Sequence, residues 1–410
     1  MSAPEAPDTA LDTLLVEPIP SVLKTEDGDA NSSPALPSVS TTALDVRKRF
    51  TELDGLRGVA ALLVVVFHLR DSIRDLDPPR QLDSLLGGGY LMVDLFFVLS
   101  GFVLARMMLA TRTAGDVARF SSLRARRFLP LHLTGVAIAF GCVALTWLTQ
   151  HYGYPGAPHR PAFTTEQESP WGYLSAILLL QGFIGPHFAG YAAAWSLSIE
   201  LWTNILLVVA IAAVPWARHK RLVGPAALGL GVLILFTLAE DGENSIGWTA
   251  FGRGLTGLGL GMVVYWAYQT SIRRRSPGPA RWPAIGAMLG LVALLICMYY
   301  SRDLRHLQFV PAFAAAAGLI FCLAQPSIGP VHRLMNSSIG QWLGSRSFAL
   351  YALHGSTLMA VKLASRLLGL HMHDPKIAIL IIVTTLIAAL TAAEVGHRFI
   401  ERLLVPKKTG

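Results

Sequence analysis

Two polar side chains interrupt an apolar run early in the chain: ELDGLRGVAALLVVVFHLR, residues 52–70, carries Arg57 near one end and His68 eleven residues further on. Eleven residues are close to three helical turns, so the two side chains share a face, roughly 16 Å apart along the axis. An imidazole takes or gives a proton near neutral pH, and a guanidinium binds carboxylates and phosphates. Within an apolar segment both are costly, and such groups usually face a bundle interior or a polar cavity. The pair therefore reads as a functional site, with a structural histidine bonded to a neighbouring helix as the alternative.

Other residues extend this chemistry. Asp94 in VDLFFVLSGFVLAR and Glu200 in WSLSIELW each lie in an otherwise apolar block. A buried aspartate needs a partner, either His68 or an arginine of a neighbouring helix. A carboxylate beside His68 would fix its tautomer and favour the imidazolium, so Asp94 or Glu200 could orient it as a general base; Glu200 could instead bind an acceptor hydroxyl. In RFSSLRARRFLPLH, Arg124-x-x-Arg127 places two guanidiniums on one face of a helix start, suited to bidentate phosphate binding. A nucleotide-bearing donor such as coenzyme A would supply the phosphates.

Arg253 stands near one end of GRGLTGLGLGMVVYW, among glycines that permit close helix approach. In LGSRSFALYALHGSTL, Ser347, Tyr351 and His354 recur at helical spacing and form one polar stripe toward a cavity. Glu394 and His397, three residues apart, read as a local ion pair rather than metal ligands, because no third ligand accompanies them, and no metal is expected.

Elements that could position such residues follow from composition. The 410 residues are 53% hydrophobic and only 15% charged, with mean hydropathy +0.49, far from the roughly one-quarter charged residues of soluble domains. Long apolar blocks without strand alternation require helices in lipid, so the fold class is an all-α polytopic membrane protein. The net charge of +8 lies in short loops between blocks, which makes it a topology signal rather than a nucleic-acid surface. Cys142, Cys297 and Cys322 fall in or beside apolar segments and read as buried small hydrophobes.

Eleven apolar blocks run from 53–71 to 377–397. With basic loops placed in the cytoplasm, only an odd number of crossings fits between the loop before 171–185 and the loop after 194–215. The block 171–185 is the shortest and is followed by glycine and proline, so it reads as a re-entrant or half-crossing segment. About ten transmembrane helices then remain, with both termini cytoplasmic. Residues 1–45, rich in Pro, Ser, Thr and Asp, read as a disordered cytoplasmic tail, 46–402 as the membrane domain and 403–410 as a short cytoplasmic tail. In this topology Arg57 lies near the cytoplasmic end of its span, while His68 and Glu200 both lie in the outer half.

Taken together, these motifs resemble the integral-membrane acyltransferase 3 family, whose members O-acylate sugars and other hydroxyl compounds. ELDGLRGVAALLVVVFH is similar to its first-helix motif, VDLFFVLSGFVLAR to its second-helix signature, Arg124 to Arg127 to its arginine loop, WSLSIELW to its Trp-Ser-Leu-x-x-Glu element, and LGSRSFALYALH to its late segment. Phe348 stands where a tyrosine is usual, and the segment after Glu200 also departs from the common pattern. Some relatives carry an extracytoplasmic hydrolase-like domain, and this chain resembles the stand-alone kind. The resemblance implies acetyl-CoA or another short acyl-CoA as donor, a hydroxyl of a surface or exported glycan or glycolipid as acceptor, and residence in a bacterial inner membrane. On that basis His68, Glu200 and Asp94 are the candidate catalytic residues, Arg57, Arg124 and Arg127 the donor-binding residues, and Arg253, Tyr351 and His354 further pocket residues. The rival reading is a proton-coupled transporter or flippase for an anionic lipid-linked substrate, which the same basic mouth and buried titratable residues would serve.

Overall fold

Every regular element described is helical, as backbone hydrogen bonding in hydrocarbon demands. The computed structural model describes residues 50–184, 191, 193–238, 247–274, 280–301, 309–370 and 374–401. Both expected tails, 1–45 and 403–410, lie outside the described residues, as do Glu240, Asp241 and Glu243.

We number the main helices α1 Thr51–His68, α2 Met92–Ala110, α3 Ala114–His151, α4 Pro170–Ile177, α5 Ala194–Ala213, α6 Val223–Thr237, α7 Trp248–Arg273, α8 Trp282–Tyr299, α9 Phe309–Ala324, α10 Pro330–Met335, α11 Ser338–Leu367 and α12 Pro375–Val395. Among the described residues, six helical stretches are long and apolar enough to cross a membrane: Arg80–Ala110, Ala114–His151, Ala194–Ala213, His219–Thr237, Trp282–Tyr299 and Pro375–Glu401. Helices α1, α7 and α11 are at least as long as the shortest of these but carry buried polar residues, Asp54 on α1, Arg253 on α7 and Ser347 and His354 on α11. These three hold much of the chemistry foreseen from the sequence.

Helix α6 turns Leu230, Leu233 and Phe236 outward, α8 turns Ile285 and Leu289, and α12 turns Ile379 and Ile387. Such aliphatic surfaces suit hydrocarbon rather than water. Inside this shell α1 packs along α11, and α7 packs against both α2 and α6. Glycine permits both central crossings. A Cβ on Gly58 would lie 2.4 Å from the amide nitrogen of Gly344, and one on Gly261 would lie 2.1 Å from the carbonyl oxygen of Val98. Backbones this close leave no room for a side chain.

Helix α3 opens with a capping box in which Thr113 and Asp116 satisfy each other's backbone amides. Its 38 residues rise about 57 Å, nearly twice the ~30 Å hydrocarbon thickness. Its first turns, including Arg119, therefore extend beyond the apolar layer. The short block foreseen at 171–185 contains only the eight-residue α4, capped by the Ser169 hydroxyl on the Gly172 amide. Carbonyls at the end of α4 and just after it are tied to neighbouring helices: Ala176 to His132 Nε2 at 2.6 Å, and Leu179 to Trp202 Nε1 at 2.9 Å and to the Ser198 hydroxyl. A non-helical stretch is tolerated there because its polar groups have partners.

Candidate active site

Helix α11 meets both functional ends of α1. Arg57 Nε donates to Ser347 Oγ at 2.8 Å, and its Nη2 approaches the Gly344 carbonyl at 3.4 Å and Asp54 Oδ1 at 3.3 Å. Seven residues later on α11, about 10 Å along the axis, His354 Nε2 lies 3.4 Å from His68 Nδ1, with ring centroids 4.9 Å apart. Between them the Tyr351 hydroxyl is bonded to Ser196 Oγ of α5. The stripe of Ser347, Tyr351 and His354 is thus one buried face of α11, each member holding a different polar partner.

A second cluster joins α2, α3 and α5. Glu200 accepts from Arg124 Nη2 at 2.8 Å and from Ser100 Oγ at 2.7 Å. The Arg124 side chain is 5% exposed and that of Glu200 18%, so the carboxylate is the more open member. The Arg124 guanidinium also stands 4.6 Å from the Phe128 ring centroid. Arg57 and Arg127 are both within electrostatic reach of Arg124, so three cations from α1 and α3 lie near one another. Arg127 lies over Phe348, 5.9 Å from its centroid, and Phe348 packs edge-on against Phe128. Phe348 thus supplies an aromatic floor beneath Arg127.

The third cluster is apolar-walled and closed. Arg253 of α7 donates through Nε and Nη2 to the two oxygens of Asp94 at 2.8 and 3.0 Å, and both side chains are 1% exposed. The rings of Phe309, Trp195 and Tyr90 surround the guanidinium at 4.9 to 5.9 Å. Planar fork geometry and aromatic faces both favour arginine over lysine here.

These contacts correct several expectations. Neither Asp94 nor Glu200 is a hydrogen-bond partner of His68: Asp94 takes the alternative of an arginine on another helix, and Glu200 takes Arg124. The reason is depth. Glu200 is six residues inside α5, whereas His68 is the last residue of α1, so block boundaries read from hydropathy blurred an offset of two turns. Arg124, expected at a helix start as a phosphate-binding residue, is buried in an ion pair with Glu200. Glu394 pairs with Arg346 and Arg398, while His397 bonds Glu401 Oε2 at 2.7 Å, so the two are not partners of each other. Among the described residues, no group of three metal-ligating side chains occurs.

His132 escaped sequence reasoning. Fully buried, it donates from Nε2 to the Ala176 carbonyl and accepts from the Tyr191 hydroxyl at 3.0 Å. It fastens α3 to α4 and to the start of α5. The only signal in the sequence was a histidine in the apolar part of a span, the same signal that marked His68.

The arrangement of an arginine cluster, a histidine pair and the helices between them coincides with a match to the acyltransferase domain family model over residues 50–394. The chain belongs to the acyltransferase 3 family. Acyl transfer is therefore its enzyme class. Similar proteins include BcsY of Komagataeibacter xylinus, named as a membrane-bound transacylase, 25% identical over 79% of this chain and 78% of that protein. A Staphylococcus aureus protein named as an O-acetyltransferase is 21% identical over 85% of this chain and 56% of its own length. The peptidoglycan O-acetyltransferase OatA of Listeria monocytogenes is 24% identical over 87% of this chain and 56% of its own length. The chain thus spans little more than half the length of the latter two acyltransferase 3 relatives. No solved structure matches it.

Proposed function

We propose that this acyltransferase moves an acetyl or other short acyl group from cytoplasmic acyl-CoA to a hydroxyl of a surface or exported glycan or glycolipid, within a bacterial inner membrane. The observation that carries the reading is the polar stripe of α11, which links an arginine cluster at one end of α1 to His68 at the other. In this reading the chain crosses the bilayer ten times, both termini are cytoplasmic, and the arginine end faces the cytoplasm, where basic loops concentrate.

The roles follow from the contacts. Arg57 and Arg127 hold the donor phosphates, and Glu200 keeps Arg124 in place so that the cluster carries cations without mutual expulsion. The acyl end of the donor points along α11 toward His68. His68 takes the proton from the acceptor hydroxyl as its oxygen attacks the thioester carbonyl; the C–S bond breaks and the coenzyme A sulfur leaves as thiolate. Asp94 and Arg253 form a closed pair that shapes the wall behind Tyr351. The transporter reading is weaker because it leaves the family's acyl-transfer chemistry unused.

Purified protein incubated with radiolabelled acetyl-CoA and a hydroxyl acceptor tests the proposal. Wild type should consume the thioester and label the acceptor, His68→Ala should do neither while keeping normal expression, and Arg127→Ala should raise KM for acetyl-CoA. Wild-type turnover by His68→Ala, or donor dependence unchanged in Arg127→Ala, would refute the corresponding assignment.

A further inference from the structure

The hydrogen bonds around His68 and His354 fix both tautomers. His354 Nδ1 lies 2.7 Å from the Tyr351 carbonyl. A carbonyl only accepts, so Nδ1 of His354 carries its proton, and Nε2 of the neutral ring is a lone-pair acceptor. His68 Nδ1 lies 2.9 Å from the Val64 carbonyl, so it also carries a proton. That single N–H is shared between the Val64 carbonyl and, over the longer 3.4 Å, Nε2 of His354. What remains is Nε2 of His68, unprotonated and without a hydrogen bond among the described residues. His354 is 1% exposed, held by the Tyr351 carbonyl and packed on the Tyr351 ring, whereas His68 keeps partial exposure.

We infer that His354 is the positioning residue of His68: an unprotonated nitrogen on a rigid buried ring that accepts a hydrogen bond from Nδ1–H of His68, beside the Val64 carbonyl, and so helps present Nε2 of His68 as the base. This rests on the proposed role of His68 in acyl transfer. It assigns to a neutral imidazole the place that a carboxylate occupies in a Ser-His-Asp triad. When His68 takes the acceptor proton at Nε2, its Nδ1–H becomes a stronger donor, and His354 Nε2 is placed to accept that hydrogen bond without itself changing protonation.

Three substitutions separate the functions of the His354 ring. In His354→Gln the amide oxygen reaches the position of Nε2 and keeps an acceptor near His68. In His354→Asn the shorter amide reaches the Tyr351 carbonyl but not His68. In His354→Leu both bonds are lost. The expected order of kcat is wild type, then Gln, with Asn and Leu lowest by on the order of 10–100-fold, while KM for acetyl-CoA stays near wild type because the donor phosphates bind at the arginine end of α1. A purely structural His354 would give the opposite order, with Asn best, or a kcat loss that follows the thermal unfolding temperature; either result overturns the inference. If His68→Ala is inactive and all three His354 variants turn over like wild type, only this inference falls. If His68→Ala itself turns over like wild type, the underlying reading falls with it.

Discussion

Asp94 and Arg253 offer the sharpest separation of chemistry from architecture. Their two hydrogen bonds, at 2.8 and 3.0 Å, satisfy a fork of guanidinium donors in surroundings where neither side chain is more than 1% exposed. Asp94→Ala leaves that guanidinium buried without its counter-charge. Breaking one side of a buried pair costs about 3–5 kcal/mol, whereas replacing both partners by well-packed apolar residues is often neutral. At roughly 2 °C per kcal/mol for a large domain, the single variant should unfold about 6–10 °C below wild type. Asp94→Asn, which keeps one acceptor oxygen, should fall between. The double variant Asp94→Leu with Arg253→Met should recover most of the loss, because no charge is left to desolvate. Thermal unfolding of detergent-purified protein, followed by tryptophan fluorescence and size-exclusion recovery, measures all three. An Asp94→Ala protein that unfolds at the wild-type temperature yet transfers no acyl group would refute the reasoning and return Asp94 to the chemistry.

Glu200→Gln keeps an oxygen for Ser100 but removes the charge facing Arg124, so a destabilisation of about 1.5–3 kcal/mol is expected together with a changed KM for acetyl-CoA in the labelled-donor assay. Gly261→Val must part α2 from α7, because its Cβ would sit 2.1 Å from the Val98 carbonyl; it should cost at least about 3 kcal/mol and abolish accumulation in membranes. Gly229→Ala, with nothing within 4 Å of the added Cβ, should be neutral or stabilising by up to about 1 kcal/mol in thermal unfolding, and should accumulate in membranes like wild type. His132→Leu strands the Tyr191 hydroxyl and the Ala176 carbonyl, at about 1–3 kcal/mol for each group left unpaired, and limited proteolysis should then cut within 176–184 faster than in wild type.

The positions of the polar residues within apolar runs carried the helical class and most members of the candidate site. That much is one-dimensional: a charged group in a stretch of Leu, Val and Ala is anomalous whatever surrounds it, and spacing by three, four or eleven shows which residues share a face. Ser347, Tyr351 and His354 fall on one helix face by spacing alone. Their partners were not open to such reasoning. Asp94 finds Arg253 across 159 residues, Arg124 finds Glu200 across 76, and His68 finds His354 across 286. Each pairing depends on where a helix begins, how deep its residues lie and which way it faces. A two-turn difference in depth was enough to move Glu200 from the histidine to the arginine end. The sequence by itself determined which side chains had to be buried together; only tertiary packing, through glycine crossings that fix the offsets of α1 on α11 and of α2 on α7, decided which acid met which base.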